Sequence, residues 1–297
     1  MKEPSLASDV LAATTAKDAW ARLCPLLGGR LLLASDFDGT LARMATDPWA
    51  ATIIPAAQRA LRRLAARPDV HVAFISGRTV ADLAARTRVG GASYHGDHGA
   101  EWATLRRGGR LAALRVERDP VDPRVLAVAE RLKVEVPRRL NETWLVLEDK
   151  GPALTFHFRA APDHAVARER VIAAVDDVDR ERLLWRVGGT RAHELRPVGA
   201  TTKAATLSRL IEVHRPTTTL MLGDDRHDAN AFDALRKARD YGRTLGLAIA
   251  VGGHADVTAE VAPHADLILA GPEDAAVFLR LLADVVCRME SPSAHDG

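Results

Sequence analysis

Nearly unbroken apolar runs recur along the chain at 31–34, 70–75, 220–222, 247–251 and 267–269. Runs of this length describe strands buried on both faces, as in a parallel sheet covered by helices. Helix-period stretches lie between them: Pro55 to Arg67, one ending near Arg86, Lys203 to Val213, Ala229 to Ala238, and Pro272 to about Val286. Pro55 and Pro272 stand where a missing N–H costs a helix nothing. Strand–helix alternation of this kind predicts an α/β fold. Glycines 90 and 91 and the segment 94–99 mark loops around a short strand. The rhythm changes between about Leu111 and Arg196. There, short strand patterns (144–148, 154–158, 183–187, 193–195) accompany helix patterns at 123–136 and 163–175, which is an α+β insert. The expected organisation is a helical lead-in over 1–28, a core over 29–110 and 197–288, the insert over 111–196, and a disordered tail over 289–297.

Composition narrows the setting. A chain of 297 residues, 47% hydrophobic, can bury one large core or two smaller ones. A net charge of +2 without a basic run implies neither nucleic acid nor an anionic membrane as partner. Cys24 and Cys287 form no metal-binding pattern and no disulfide framework. No apolar stretch is long enough to span a bilayer and residues 1–20 lack a signal-peptide core, so a cytoplasmic location is expected. Only six of the 41 basic residues are lysines. Lys150 and Lys203 therefore hint at a need for a compact ammonium.

The candidate chemistry begins at Asp36-Phe37-Asp38-Gly39-Thr40-Leu41, directly after the first apolar run. Ligands in open α/β sheets gather outside the carboxyl ends of strands. Side chains at i and i+2 share a face of extended backbone, so Asp36 and Asp38 can look at one ligand. One carboxylate can attack phosphorus, and the other can protonate the leaving oxygen and then activate water. Gly39 allows a tight turn and leaves amides to face a phosphate.

This segment resembles the first motif, D-x-D-G-T, of the haloacid dehalogenase-like (HAD-like) phosphatase superfamily, and the other three motifs follow in order. Phe74-Ile75-Ser76-Gly77-Arg78 matches the second, Lys203 in Thr201-Thr202-Lys203-Ala204 the third, and Gly223-Asp224-Asp225-Arg226-His227-Asp228 the fourth. The resemblance implies a Rossmannoid parallel-sheet core with an inserted α+β cap. It implies Asp36 as nucleophile, Asp38 as acid and base, and Ser76 and Lys203 on the transferring phosphoryl group. Gly39, Thr40 and Gly77 would line the phosphate, with helix-start amides near Ser76 suiting an anion. Hard oxygen ligands from Asp36, the Asp38 carbonyl and Asp224 describe a magnesium (Mg2+) site, with Asp228 or Asp225 in support. Arg78 is a further supporting residue.

The insert sharpens the resemblance. Leu147-Glu148-Asp149-Lys150-Gly151 with Thr155-Phe156-His157-Phe158-Arg159 resembles the E-D-K-G…H-Y-R pattern of trehalose-6-phosphate phosphatases. His193-Glu194-Leu195-Arg196-Pro197 is similar to their E-I-R-P segment, and 96–101 to their G-x-H-G-x-E loop. The likeness spans about Leu31 to Leu269. It implies that Glu148, Lys150, Arg159 and Glu194 hydrogen-bond sugar hydroxyls, with His98 near the rim. Ala204, His227 and Ala229 depart from the usual Gly, Thr and Glu, which leaves a related disaccharide, pseudo-disaccharide or glycosyl-glycerol phosphate open as substrate. A non-catalytic sugar-phosphate-binding partner of a trehalose synthase is the reading from a different class. A trehalose-6-phosphate synthase is the macromolecular partner such a family would suggest.

Overall fold

A computed structural model describes residues 15–44, 48–188, 191–252 and 260–289. Its strands in chain order are β1 (Leu31–Ser35), β2 (Val70–Ile75), β3 (Ser93–Gly96), β4 (Glu101–Thr104), β5 (Glu117–Arg118), β6 (Val146–Asp149), β7 (Leu154–His157), β8 (Leu184–Gly188), β9 (Ala192–Pro197), β10 (Thr218–Gly223), β11 (Leu245–Val251) and β12 (Leu267–Leu269). The α-helices are α1 (Ala16–Leu23), α2 (Pro55–Ala65), α3 (Val80–Thr87), α4 (Pro123–Leu140), α5 (His164–Val178), α6 (Lys203–His214), α7 (Arg226–Asp240) and α8 (Pro272–Val286). Two compact units result, one holding 118–200 and the other holding the chain before and after it.

The larger unit is built on an eight-stranded sheet in the order β12-β11-β10-β1-β2-β3-β4-β5. Strands from β12 through β3 run parallel, and β4 returns antiparallel to β3. Alternation along each strand divides the core in two. Leu31, Leu33, Val72, Phe74, Leu220 and Leu222 face α1, α2 and α8. Leu32, Ala34, Ala73, Ile75 and Met221 pack with Leu207, Ile211, Phe232 and Leu235 of α6 and α7. All five residues of β1 are buried, as expected of a central strand covered on both sides. The sequence pattern shows neither β4 nor β5, because Glu101-Trp102-Ala103-Thr104 carries no clean apolar run. Residues 111–117, grouped with the insert on pattern, run up to β5 at the edge of this sheet.

The smaller unit is a four-stranded antiparallel sheet, β6-β7-β9-β8. One face carries Leu154, Phe156, Leu184 and Leu195 into a core with Val125, Leu132, Val136, Val171 and Val175 of α4 and α5. On the opposite face cross-strand register aligns Glu148, Thr155 and Glu194, flanked by exposed Val146 and Trp185. Helix α4 passes Pro137 and ends at Leu140, one turn beyond the expected stop at Val136. Asn141, in left-handed conformation, closes it with its N–H on the Pro137 carbonyl. No described helix is long and apolar enough to cross a membrane. Most of the expected tail, from residue 290 on, and residues 1–14 of the lead-in lie outside the described residues.

A group of histidines is buried beside the parallel sheet. His71 and His95 place their Nε2 atoms 2.9 and 3.0 Å from the same Ser93 hydroxyl, and the His214 ring stacks on His71 at 3.7 Å. One hydroxyl hydrogen cannot serve two rings, so at least one imidazole donates to the Ser93 oxygen. Burial lowers His71 to about 4, assisted by His214, and His95 to about 3, assisted by Arg209. Unfolded histidines titrate near ~6.5, so the unfolded chain takes up protons first. This stability is present above that pH and is lost as pH falls through the lower folded values. Between pH 7 and pH 5 the thermal midpoint of the wild type should therefore fall more than that of His71→Gln, by about 5 °C. Equal falls, followed by circular dichroism, would remove the cluster from the account.

Candidate active site

Residue placement follows from strand register. Ser35 is flanked by Leu222 on β10 and Phe74 on β2, so the residues that follow these three strands emerge side by side. Asp36 comes from β1, Ser76 from β2 and Asp224 from β10. The Asp36 N–H donates to the Leu222 carbonyl at 2.9 Å, which extends the β1–β10 pairing to the first carboxylate. Lys203 enters from the first turn of α6, where Thr202 is the N-cap and accepts from the Ala205 N–H.

These elements bring together three carboxylates and one ammonium. Oxygens of Asp36, Asp224 and Asp228 all lie within 4.8 Å of one another. Lys203 Nζ donates to Asp36 Oδ1 at 2.8 Å and to Asp228 Oδ1 at 2.9 Å, and it is only 2% exposed. Burial pushes the Asp36 carboxyl well above the usual carboxylate range. Lys203 opposes that rise and Asp224 adds to it. Asp224 and Asp228 are also pushed up by burial, and Asp225 raises both further. Burial would lower the Lys203 ammonium, but Asp225, Asp228 and Asp36 outweigh it and keep it charged.

One cation against three buried carboxylates leaves an excess of negative charge. An all-oxygen donor set of this spread suits a small hard divalent ion. The cradle is tight. Gly39 sits at φ +76, and a Cβ on it would come 2.0 Å from Asp224 Oδ2. Thr40 Oγ1 holds the other Asp224 oxygen at 3.1 Å. A Cβ on Gly223 would meet Asp228 Cγ at 2.2 Å. The residues present therefore fit magnesium.

Three details bear on the sequence expectation. The Gly39 N–H donates to the Ala42 carbonyl at 2.9 Å, so it is engaged within the turn rather than left for a phosphate. Helix α3 begins four residues after Ser76, and the carboxylate of Glu101 takes its first amide, Val80 N–H. The Ser76 N–H donates to the His95 carbonyl, and Ser76 Oγ accepts from the Arg78 N–H at 3.2 Å. The Ser76, Arg78 and Val80 amides are thus engaged within the fold. Asp228 is the third detail. Its Oδ2 accepts the Asp224 and Asp225 amides at 3.1 and 3.2 Å, while Asp225 Oδ1 accepts the Asp228 N–H at 2.9 Å. This reciprocal cap starts α7 at Arg226, and it fixes Asp228 as the residue that holds both loop and Lys203.

Asp38 faces a different partner. Arg78 grips it with two bonds, Nε to Oδ2 at 2.6 Å and Nη2 to Oδ1 at 2.7 Å, and its third nitrogen reaches Asp82 at 2.7 Å. These carboxylates hold the Arg78 guanidinium above its already high range although burial works against it. Gly77 lies against the His98 ring, with only 3.1 Å between a Cβ there and Nε2. His98, in left-handed conformation, has its ring 4.7 Å from that of His227 and its carbonyl on Thr206 Oγ1. The departure at His227 therefore lies next to an expected site residue.

Within the smaller unit, Lys150 Nζ lies 3.7 Å from Glu148 and 3.6 Å from Glu194, and His157 Nε2 lies 3.0 Å from Glu148. Arg159 stands two residues past β7, exposed and outside this row. Sequence reading missed His157 and Glu101. The His157–Glu148 contact is legible only once the 148–157 hairpin is in register, and the Glu101 cap only once β4 is known. The D-x-x-D spacing of 225–228, by contrast, is a capping signal that the sequence does carry.

Comparison with known proteins bears on the identity of this arrangement. The trehalose-phosphatase family profile matches residues 34–261. The chain belongs to the trehalose-phosphatase family. It is 36% identical over 268 residues to the trehalose-phosphate phosphatase of Mycobacterium avium (strain 104), covering 86% of this chain and 62% of that protein. The chain thus spans about three fifths of the length of that curated relative. A C. albicans trehalose-6-phosphate phosphatase C-terminal domain superposes with a TM-score of 0.73 at 22% identity, covering 92% of this chain and 98% of that one. A trehalose-6-phosphate phosphatase related protein gives a TM-score of 0.67 at 18% identity, covering 87% and 100%. These structural likenesses show the HAD-like α/β fold.

Magnesium should raise the thermal midpoint of the wild type by several degrees at saturating concentration, since only the folded chain presents the three oxygens together. Asp224→Asn should lose most of that rise. A midpoint indifferent to magnesium would mean that the acidic cluster holds no such ion. Gly39→Ala should unfold at lower temperature without metal, because its φ and the Asp224 contact both oppose a side chain.

Proposed function

We propose that the chain is a magnesium-dependent phosphatase that releases phosphate from trehalose 6-phosphate. The observation that carries this reading is Lys203 Nζ bonded to Asp36 and Asp228, with Asp224 in the same cluster. In this reading Asp36, the Asp38 carbonyl and Asp224 would hold the ion, and Asp228 orients Lys203. The bound ion supplies charge neutralisation for the phosphate.

The chain's own groups do the rest. Asp36 Oδ attacks phosphorus in line, the P–O bond to the sugar breaks, and an aspartyl-phosphate forms. Lys203 offsets charge on both the nucleophile and the phosphoryl oxygens. Ser76 Oγ accepts one bond from Arg78 and has its hydrogen to give to a phosphoryl oxygen. Asp38 protonates the departing sugar oxygen and then takes a proton from the water that hydrolyses the acyl phosphate. Both Asp38 oxygens are held by the Arg78 fork, so the carboxylate must either turn out of it or take the proton on a second lone pair. Arg78 thereby sets where the acid waits.

The substrate side rests on the face of the small sheet opposite its core. Glu148, Lys150 and Glu194 present acceptors and donors to sugar hydroxyls, and Arg159 and His98 complete the set carried over from the family pattern. The Lys150 pairs at 3.6–3.7 Å are longer than direct hydrogen bonds, which leaves these groups bonding capacity for hydroxyls.

A phosphate-release screen over sugar phosphates with magnesium tests the reading, with trehalose 6-phosphate expected to lead. Preference for another sugar phosphate would move the substrate while leaving the chemistry intact. Asp36→Asn should cut turnover by at least about 10³-fold with an unchanged circular dichroism spectrum. Retained turnover would remove Asp36 as nucleophile. Glu148→Ala should lower kcat/KM for the disaccharide phosphate by about 10-fold or more and leave a small aryl phosphate nearly unaffected. Equal losses on both would place Glu148 outside the sugar contacts.

A further inference from the structure

A cavity of about 670 Å³ opens at the amino-terminal edge of the parallel strands, away from the carboxyl ends that carry Asp36 and Asp224. It is lined by Arg62, Arg88, Arg107 and Arg110 around an apolar floor of Ala66, Leu105 and Leu111. Arg62 donates from Nε and Nη2 to the Arg88 carbonyl at 3.0 and 2.9 Å. Arg88 donates from Nε to the Ala85 carbonyl at 3.0 Å, and Arg107 from Nε to the Ala65 carbonyl at 3.2 Å. Among the described residues none of the four guanidiniums has a carboxylate partner. This contrasts with Arg63, Arg67 and Arg86 on the same stretch of chain, each of which is paired to an aspartate.

We propose that this cavity binds a small organic phosphate carrying more than one negative charge. Arginines at helix C-termini commonly do no more than cap carbonyls. Capping here uses Nε of Arg88 and Arg107, while their paired Nη groups bond nothing else among the described residues, and Arg110 caps no carbonyl at all. A guanidinium's planar edge matches phosphate oxygens two at a time. The helix C-terminal carbonyls would repel an anion, but they are already occupied: the Arg88 N–H closes α3 on Ala84, Arg62 covers the Arg88 carbonyl, and Arg107 covers that of Ala65. Four unpaired cations call for a multiply charged ligand. The apolar floor suits a non-phosphate portion, and the volume lies within the range of small-molecule sites. Concavity on this scale favours a small molecule over an acidic protein surface or nucleic acid.

The test is calorimetric titration of the whole chain with ATP in EDTA, so that metal plays no part, with pyrophosphate and adenosine as separate arms. Saturable ATP binding is expected, weaker for pyrophosphate and absent for adenosine. Arg107→Gln with Arg110→Gln should weaken ATP by about tenfold or more, and Arg110→Gln alone by a smaller factor. Arg110→Gln alone should leave the thermal midpoint unchanged, since its side chain is exposed and caps nothing, and the double variant, which loses the Arg107 cap on Ala65, is titrated below its own midpoint. Asp36→Asn should leave ATP affinity unchanged, which separates this site from the carboxylate cluster. The proposal is overturned if neither ATP nor pyrophosphate saturates below roughly 1 mM, or if the double variant binds as the wild type does. Binding of a heparin fragment through the same arginines without ATP binding would also overturn it, in favour of a macromolecular polyanion.

Discussion

Lys203 is a buried ammonium that the surrounding carboxylates require and that in turn requires them. A lone charge at 2% exposure would cost several kcal/mol to desolvate, and so would each of Asp36, Asp224 and Asp228. Bonds of 2.8 and 2.9 Å to two of them make the arrangement tolerable, and the residual negative charge makes it receptive to a cation. The cluster therefore joins folding to chemistry. The groups that suit phosphoryl transfer are the same ones that strain the core edge, a common situation where charge is concentrated for function.

The scaffold deals with this strain through its loops. Each of the three central strands delivers one residue to the site, and each following loop is tied down by its own hydrogen bonds. The first turn closes on Ala42, the second is anchored by His95 and capped through Glu101, and the third is locked by the Asp225–Asp228 reciprocal cap. The Gly39, Ser76, Arg78 and Val80 amides are engaged in holding the loops still. Lys203 adds a buried side-chain donor beside them. The small sheet follows a different logic. One face supplies the hydrophobic core with α4 and α5, and the other is freed to carry Glu148, Thr155 and Glu194 in a row. Antiparallel pairing, with covering needed on one side only, makes that division possible.

Much was legible in the chain itself. The core strands, the α/β alternation, the α+β insert, and Asp36, Ser76, Lys203 and Asp224 at strand or helix ends all follow from local pattern, because buried parallel strands must be apolar and site residues must follow them. Strand β4 and the run of α4 past Pro137 were not legible. One is held by pairing to β3, and the other by packing against the small sheet, and neither interaction is local. The partnerships that set each group's behaviour were hidden for the same reason. Arg78 on Asp38 spans 40 residues, Lys203 on Asp36 spans 167, and Thr40 on Asp224 spans 184. The order of residues therefore decided which functional groups exist and which element each one ends. Only the folded chain decided which of them are buried together, because charge and hydrogen bonding act through space, at separations that position along the chain does not encode.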